Sequence, residues 1–94
     1  MTQTTAIVTT QNASRYLQKL CKHFAHKVEV QFTPEAGRVS LPFGTCKFHA
    51  DDTQLTMIGE AKPTQLPKIE RFLGDHLARF AFRENPTITW TRSA

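Results

Sequence analysis

Two histidines lie on the expected apolar faces of two helices, and imidazole is the side chain best suited to binding and proton transfer near neutral pH. His23 follows Tyr16 and Leu20 at helical spacing, so these side chains should lie along one line of the first helix. His76 falls within the apolar stripe of a second helix. A buried imidazole costs about 1–3 kcal/mol unless its nitrogens find partners, so the pair indicates a buried polar site between the helices.

Two interpretations of His76 stay open at this point. In the first, it is a core histidine whose ring bonds a backbone carbonyl or the hydroxyl of Tyr16. In the second, His23 and His76 face each other and line a small pocket. Desolvation there favours the neutral imidazole, which leaves a nitrogen free to accept a proton or to bind a metal.

Two arginines extend the candidate site toward the end of the second helix. Arg79 and Arg83 are four residues apart, so both lie on the edge next to His76. They either complement the helix dipole or, together with His23 and Lys27, surround an anionic ligand. The predicted ligand-binding residues are therefore Tyr16, His23, His76, Arg79 and Arg83.

A metal site is a second hypothesis for the same region. His23 and His26 are three residues apart and could chelate together, whereas Cys21 points elsewhere on the helix. Cys46 is expected on the strand face toward the helices. The spacing matches no standard zinc pattern, and both cysteines could equally be small buried hydrophobes. The candidate metal ligands are Cys21, His23, His26, Cys46 and His76; the sequence specifies no cofactor.

Catalysis has little support in the sequence. A nucleophile pair of Cys21 or Cys46 with one of the histidines lacks an orienting carboxylate at a telling distance and an oxyanion-hole glycine motif. The chain also lacks a phosphate-binding glycine loop, paired carboxylates and a serine elbow. We therefore expect a protein that is not an enzyme.

Composition predicts a single domain over residues 1–94, with 39% hydrophobic residues and seven phenylalanines to form its core. Two cysteines are too few for a disulfide scaffold. No segment approaches the roughly 20 apolar residues of a membrane span, and no signal peptide is visible. These features predict a cytoplasmic protein without a membrane partner. A net charge of +4, spread along the chain, makes nucleic-acid binding a weak expectation.

Hydrophobic periodicity predicts six strands and two helices. Alternation or β-branched runs indicate strands at residues 4–10, 28–32, 38–41, 45–50, 54–59 and 87–91. The first helix should begin at Thr10, Asn12 or Ser14 and run to about Ala25, and the second should occupy residues 64–83. Pro42-Phe43-Gly44 should kink or end a strand.

This order, β-α-β-β-β-β-α-β, predicts an α+β fold. Four short sequential strands between two long helices favour an antiparallel meander with both helices on one face. The predicted topology is similar to the repeat unit of the TATA-binding-protein-like fold.

Several motifs resemble a known family. The first helix carries Arg15-Tyr16-Leu17, Leu20-Cys21, His23-Phe24 and His26-Lys27, and the second carries His76-Leu77 followed by Arg79-Phe80-Ala81-Phe82-Arg83-Glu84. Together with Gly44-Thr45-Cys46, Ala50-Asp51 and Trp90, these residues resemble a small bacterial domain family of unknown function. The resemblance covers nearly the whole chain.

The resemblance implies an accessory role in iron or siderophore handling, because members of that family either stand alone or are found beside or fused to siderophore-interacting flavin reductases and iron-uptake components. We therefore expect a binding or accessory domain that takes a metal, a chelated-iron species or an anionic metabolite, with such a reductase as a candidate partner. Two alternatives are a homodimeric or protein-interaction module with structural histidines and, with less support, a nucleic-acid-binding domain.

Overall fold

The computed structural model describes residues 2–93, in which the predicted order of strands and helices is confirmed. The elements are β1 (Thr2–Thr9), α1 (Ala13–Phe24), β2 (Val30–Phe32), β3 (Ala36–Leu41), β4 (Gly44–Ala50), β5 (Gln54–Ala61), a 3-10 turn (Pro63–Gln65), α2 (Leu66–Phe80) and β6 (Trp90–Ser93). No helix in this part of the chain is both long and apolar enough to cross a membrane.

The six strands form one antiparallel sheet in the order β2-β3-β4-β5-β1-β6. Strands β2 to β5 make the predicted meander, and Pro42-Phe43 form the two-residue turn between Leu41 and Gly44. β1 lies between β5 and β6, which places the first strand of the chain inside the sheet. The α+β prediction is confirmed, whereas the likeness to the TATA-binding-protein-like fold stays a prediction.

The end of the second helix differs from the sequence prediction. α2 ends at Phe80, and the amide of Asn85 bonds the carbonyl of Ala81 in a turn where Asn85 has a φ of 46°. Asparagine tolerates this left-handed conformation, which helical residues cannot adopt. The backbone leaves helical geometry at Ala81, which has a φ of −103° and a ψ of 26°, so residues 81–84 form a turn and Arg83 lies outside the helix on which it was predicted.

Both helices pack on the same face of the sheet. Side chains of alternate strand residues point into this interface, as the strand period of two requires. Leu17 and Leu20 of α1 and Ile69, Leu73 and Leu77 of α2 are fully buried there. They pack against the inward side chains of the strands, which include Ala6, Val8, Val39, Cys46, Phe48, Leu55 and Met57.

Glycines in the strands allow the helices to come this close. A Cβ placed on Gly37 would lie 2.8 Å from Sγ of Cys21 on α1, and one on Gly59 would lie 3.1 Å from Cγ2 of Ile69 on α2. At Gly44 a Cβ would lie 2.5 Å from the backbone oxygen of Glu60 on the neighbouring strand. A side chain at this third position therefore requires the backbone itself to move.

We expect Gly44→Ala to lower the free energy of unfolding by about 1–3 kcal/mol, because the added methyl overpacks a strand pair that cannot yield cheaply. Urea unfolding measures this change. Gly74→Ala is the matched control, since a Cβ on this helical glycine meets nothing closer than 3.9 Å. The control should gain about 0.5–1 kcal/mol from helix propensity. Equal stability of the two variants would contradict the packing argument.

Candidate functional site

The antiparallel helices bring the two predicted histidines together. The ring centroids of His23 and His76 lie 5.3 Å apart. Nδ1 of His76 lies 2.7 Å from the carbonyl oxygen of Phe72, one turn earlier on α2. A carbonyl only accepts, so Nδ1 carries the proton and donates it to this bond. In the neutral ring the lone pair then resides on Nε2.

Aromatic side chains surround the histidine pair. Phe24 of α1 stacks on Phe72 of α2 with centroids 5.3 Å apart and an interplanar angle of 24°. The ring of His76 lies 4.5 Å from that of Phe72. Phe43, from the turn between β3 and β4, meets Phe72 edge to face at 5.7 Å. These contacts join both helices and one hairpin turn around the imidazoles.

A cavity of about 160 Å³ lies at the centre of this arrangement. Most of its lining is apolar or aromatic, and its polar groups are two imidazoles and one ammonium. The lining residues are His23, Phe24, Lys27, Val28, Leu41, Pro42, Phe43, Phe72 and His76. A mainly apolar wall with few polar groups is the lining found in small-molecule sites, whereas the volume is below the roughly 300–1,000 Å³ of sites for drug-sized ligands.

Positive charge accumulates around the cavity. Burial lowers the pKa of His23, and the neighbouring charges of His76, Lys27 and Arg79 lower it further. Lys68 places its ammonium 4.6 Å from the ring centre of Phe43. His23 is therefore held in its neutral form at pH 7 by surroundings that are desolvating and cationic.

Tyr16 lies elsewhere, contrary to the sequence prediction. Its hydroxyl donates to the carboxylate of Glu84, which also accepts from Thr10 (2.8 Å) and from the side-chain amide of Asn12 (3.2 Å). Burial and this hydrogen bond raise the pKa of Tyr16. Because Tyr16 is two turns before His23, it contacts the segment after α2 instead of the middle of that helix.

The two arginines are separated by the end of α2. Arg79 lies beside His76 along an exposed groove on α2. Arg83 is in the following turn, where its guanidinium carbon lies 5.8 Å from the ring centre of Phe82. Of the predicted ligand-binding residues, the structure thus brings together His23, His76 and Arg79, and it places Tyr16 and Arg83 outside.

The five candidate metal ligands are not assembled into one site. Cys21 and Cys46 are buried in the core between α1 and the sheet, where burial raises the pKa of their thiols to about 11 and about 12. His26 is exposed after the end of α1. Among residues 2–93 no group of three or more His, Cys, Asp or Glu side chains is arranged to hold a metal ion. The candidates instead form two separate pairs, with His23 and His76 in contact at the flank of the helices and Cys21 near Cys46 in the core.

Sequence reasoning missed Phe43 as a wall of the site. The Pro42-Phe43 pair was expected only to end a strand, yet it forms a two-residue turn whose aromatic ring covers the cavity. The available signal was the residue type, because tight turns ordinarily carry glycine, asparagine, aspartate or serine. A half-buried phenylalanine at a turn indicates a packing partner beyond its own hairpin.

Comparison with known proteins supports this fold. A model of a family described as "uncharacterized protein conserved in bacteria (DUF2218)" matches residues 5–91. The chain belongs to this family. It is also similar to PA4090 from Pseudomonas aeruginosa, whose NMR structure is 35% identical in sequence and superposes with a TM-score of 0.81. That comparison covers 97% of this chain and 96% of PA4090. No curated protein matches the chain.

The predicted resemblance to a bacterial family of unknown function is thereby confirmed. Neither the DUF2218 description nor the likeness to PA4090 bears on a ligand, so the association with siderophore-interacting proteins stays a prediction. The cavity between the helices is the feature from which a function for this DUF2218 protein can be argued.

The lowered pKa of His23 predicts how stability depends on pH. The folded state binds this proton less well than the unfolded state, whose histidine pKa is about 6.5. The stabilisation from His23 is therefore complete above that value and is lost as the pH falls below it. Denaturant unfolding between pH 7.5 and 5.5 should show this decline.

His23→Leu should flatten the decline, because leucine does not titrate. His49→Leu is the control, since His49 is exposed on the other face of the sheet. A His23→Leu protein that retains the full pH dependence of the natural protein would contradict the assignment.

Tyr16→Phe tests the relocation of this tyrosine. The variant removes one donor from the Glu84 carboxylate and leaves the cavity intact, so we expect a lower melting temperature with unchanged resonances for the His23 and His76 rings. Thermal unfolding and imidazole NMR spectra measure the two effects. Altered resonances of the His23 and His76 rings would instead indicate that Tyr16 contacts the cavity, as the sequence predicted.

Proposed function

We propose that this protein is a non-catalytic binding domain whose small-molecule ligand occupies the cavity that His23 and His76 help to line. The observation that carries the proposal is the cavity lined by both imidazoles, in which the bond from Nδ1 of His76 to the carbonyl of Phe72 satisfies one ring nitrogen, as the first interpretation of that residue predicted. This bond fixes the ring orientation and, for the uncharged ring, the tautomer, which leaves Nε2 as an acceptor beside a mainly aromatic wall. The ligand we propose therefore has an apolar body and one hydrogen-bond donor.

The size of the cavity supports a ligand built on a single ring. An engineered apolar cavity of about 150 Å³ in another protein binds benzene, and the volume found here is close to that. The walls formed by Phe24, Phe43 and Phe72 favour a flat aromatic body, which stacks or meets them edge to face. A phenol combines such a ring with a hydroxyl that can donate to Nε2 of His76.

Binding has more support than catalysis. The cavity lining contains no carboxylate, hydroxyl or thiol side chain among the residues that the structure describes. Cys21 and Cys46 are buried thiols with raised pKa values, and a nucleophilic cysteine needs the opposite environment. The two imidazoles can therefore orient a ligand, and no neighbouring nucleophile supports a covalent step.

The open face of the sheet gives less support to the alternative hypotheses. Ile7 is 56% exposed there, with Thr56 opposite it, Thr5 and Thr9 beside it on its own strand and the half-buried Ile58 diagonally across, so mainly polar neighbours give self-association through this face less support. Lys47 on the same face is paired with Glu60 at 3.2 Å, which weakens the case for nucleic acid. A role in iron or siderophore handling stays a prediction from the family resemblance.

Phenol is the probe that tests this function. We expect titration into isotope-labelled protein to shift the amide and imidazole resonances of His23, His76 and Phe72, with a Kd on the order of 1 mM for so small a molecule. His76→Leu should abolish these shifts while keeping a folded spectrum. His49→Leu, the matched control on the far face of the sheet, should bind phenol like the natural protein.

The natural protein decides the question even if His76→Leu fails to fold, because the positions of the shifted resonances identify the site directly. Shifts confined to the open face of the sheet, or an unchanged spectrum at saturating phenol, would contradict the proposal.

A further inference from the structure

The charged side chains around the cavity indicate which class of ligand the proposed function would involve. Lys27 belongs to the lining itself, and the lining contains no acidic side chain. Phe43, one wall of the cavity, carries the ammonium of Lys68 on its ring. Among the described lining residues Lys27 has no carboxylate beside it, and the ammonium of Lys68 adds positive charge next to the wall that Phe43 forms, so these surroundings favour an anion.

A larger groove on α2 adjoins the cavity. Phe72 and His76 line both spaces, and the groove continues along Lys68, Arg71 and Arg79, with Asp75 as the one acidic residue among its described lining residues. Its volume is about 590 Å³, and it is open to solvent. The surface next to the cavity is therefore mainly basic, which adds to the positive charge that Lys27 supplies within the lining.

We propose that the ligand is a hydroxylated aromatic carboxylate, an inference that rests on the proposed function. Its ring lies against Phe24, Phe43 and Phe72, which are already in contact with one another, and its hydroxyl donates to Nε2 of His76. The carboxylate is placed at the edge of the cavity beside Lys27, with the charges of Lys68 and Arg79 further away on α2. In this arrangement the hydroxyl meets the imidazole, and the charged group stays partly hydrated, which avoids the desolvation of a buried ion.

The test compares 4-hydroxybenzoate with 4-hydroxybenzamide, which has nearly the same shape but no charge. At low ionic strength the acid should bind about fivefold more tightly, the size expected of partly exposed ion pairs. The preference should shrink in 0.5 M NaCl, where such charges are screened. NMR titration against His76 and Phe72 gives both dissociation constants.

Charge variants then locate the carboxylate. Lys27→Gln and Lys68→Gln should each lower the ratio of the two affinities, whereas Lys19→Gln should keep it, because Lys19 is an exposed lysine of α1 that does not line either space. If the ratio of the two affinities is the same in Lys27→Gln and Lys68→Gln as in the natural protein, the placement of the carboxylate is wrong.

The outcomes separate this inference from the function on which it rests. If 4-hydroxybenzamide binds at His76 as tightly as the acid, or more tightly, the domain binds aromatic ligands and the anionic class is wrong. If neither compound nor phenol shifts the resonances of His23 and His76, the proposed function itself is wrong. Tighter binding of the acid at His76, lost with salt, supports both.

Discussion

The contact between α1 and α2 is the constraint on which the candidate site depends. Two amphipathic helices must share one face of a single sheet, so their flanks meet above it and the residues of both flanks are desolvated together. Glycines at positions 37, 44 and 59 allow the close approach of helix to strand or of strand to strand beneath them. Where the apolar stripes meet, His23 and His76 replace aliphatic side chains, and the cavity forms at that point.

The electrostatics of the pair follow from the same packing. Two imidazole rings 5.3 Å apart repel each other if both are positively charged, and cationic side chains lie near them. The backbone carbonyl of Phe72 removes the ambiguity for one ring by fixing its tautomer. The carbonyl of Phe72 therefore determines that Nε2 of the uncharged His76 ring is a hydrogen-bond acceptor. In other proteins, too, the hydrogen bond made by one ring nitrogen sets the role of the other nitrogen.

The helical stripes predicted the fold and the histidine pair because periodicity reports which face of a helix is buried. The same periodicity placed Tyr16 with His23, because it gives the angle of a residue around the helix axis and not its position along that axis. Tyr16 lies two turns before His23 and bonds Glu84 instead. Arg83 was misplaced because Asn85-Pro86 was expected to end the helix, whereas the backbone already leaves helical geometry at Ala81, which periodicity does not reveal. Phe43 was missed because its partners are distant in sequence.

The position of β1 in the sheet has a consequence for the order in which the sheet forms. Thr2–Thr9 pair with Gln54–Ala61 on one side and with Trp90–Ser93 on the other, so both partners of this strand are distant in sequence. The meander of β2 to β5 forms from contacts between consecutive strands, whereas the pairing of β1 with β5 must first close a long loop of chain. Because β6 has β1 as its partner in the sheet, the last strand can join only after the first strand is in place.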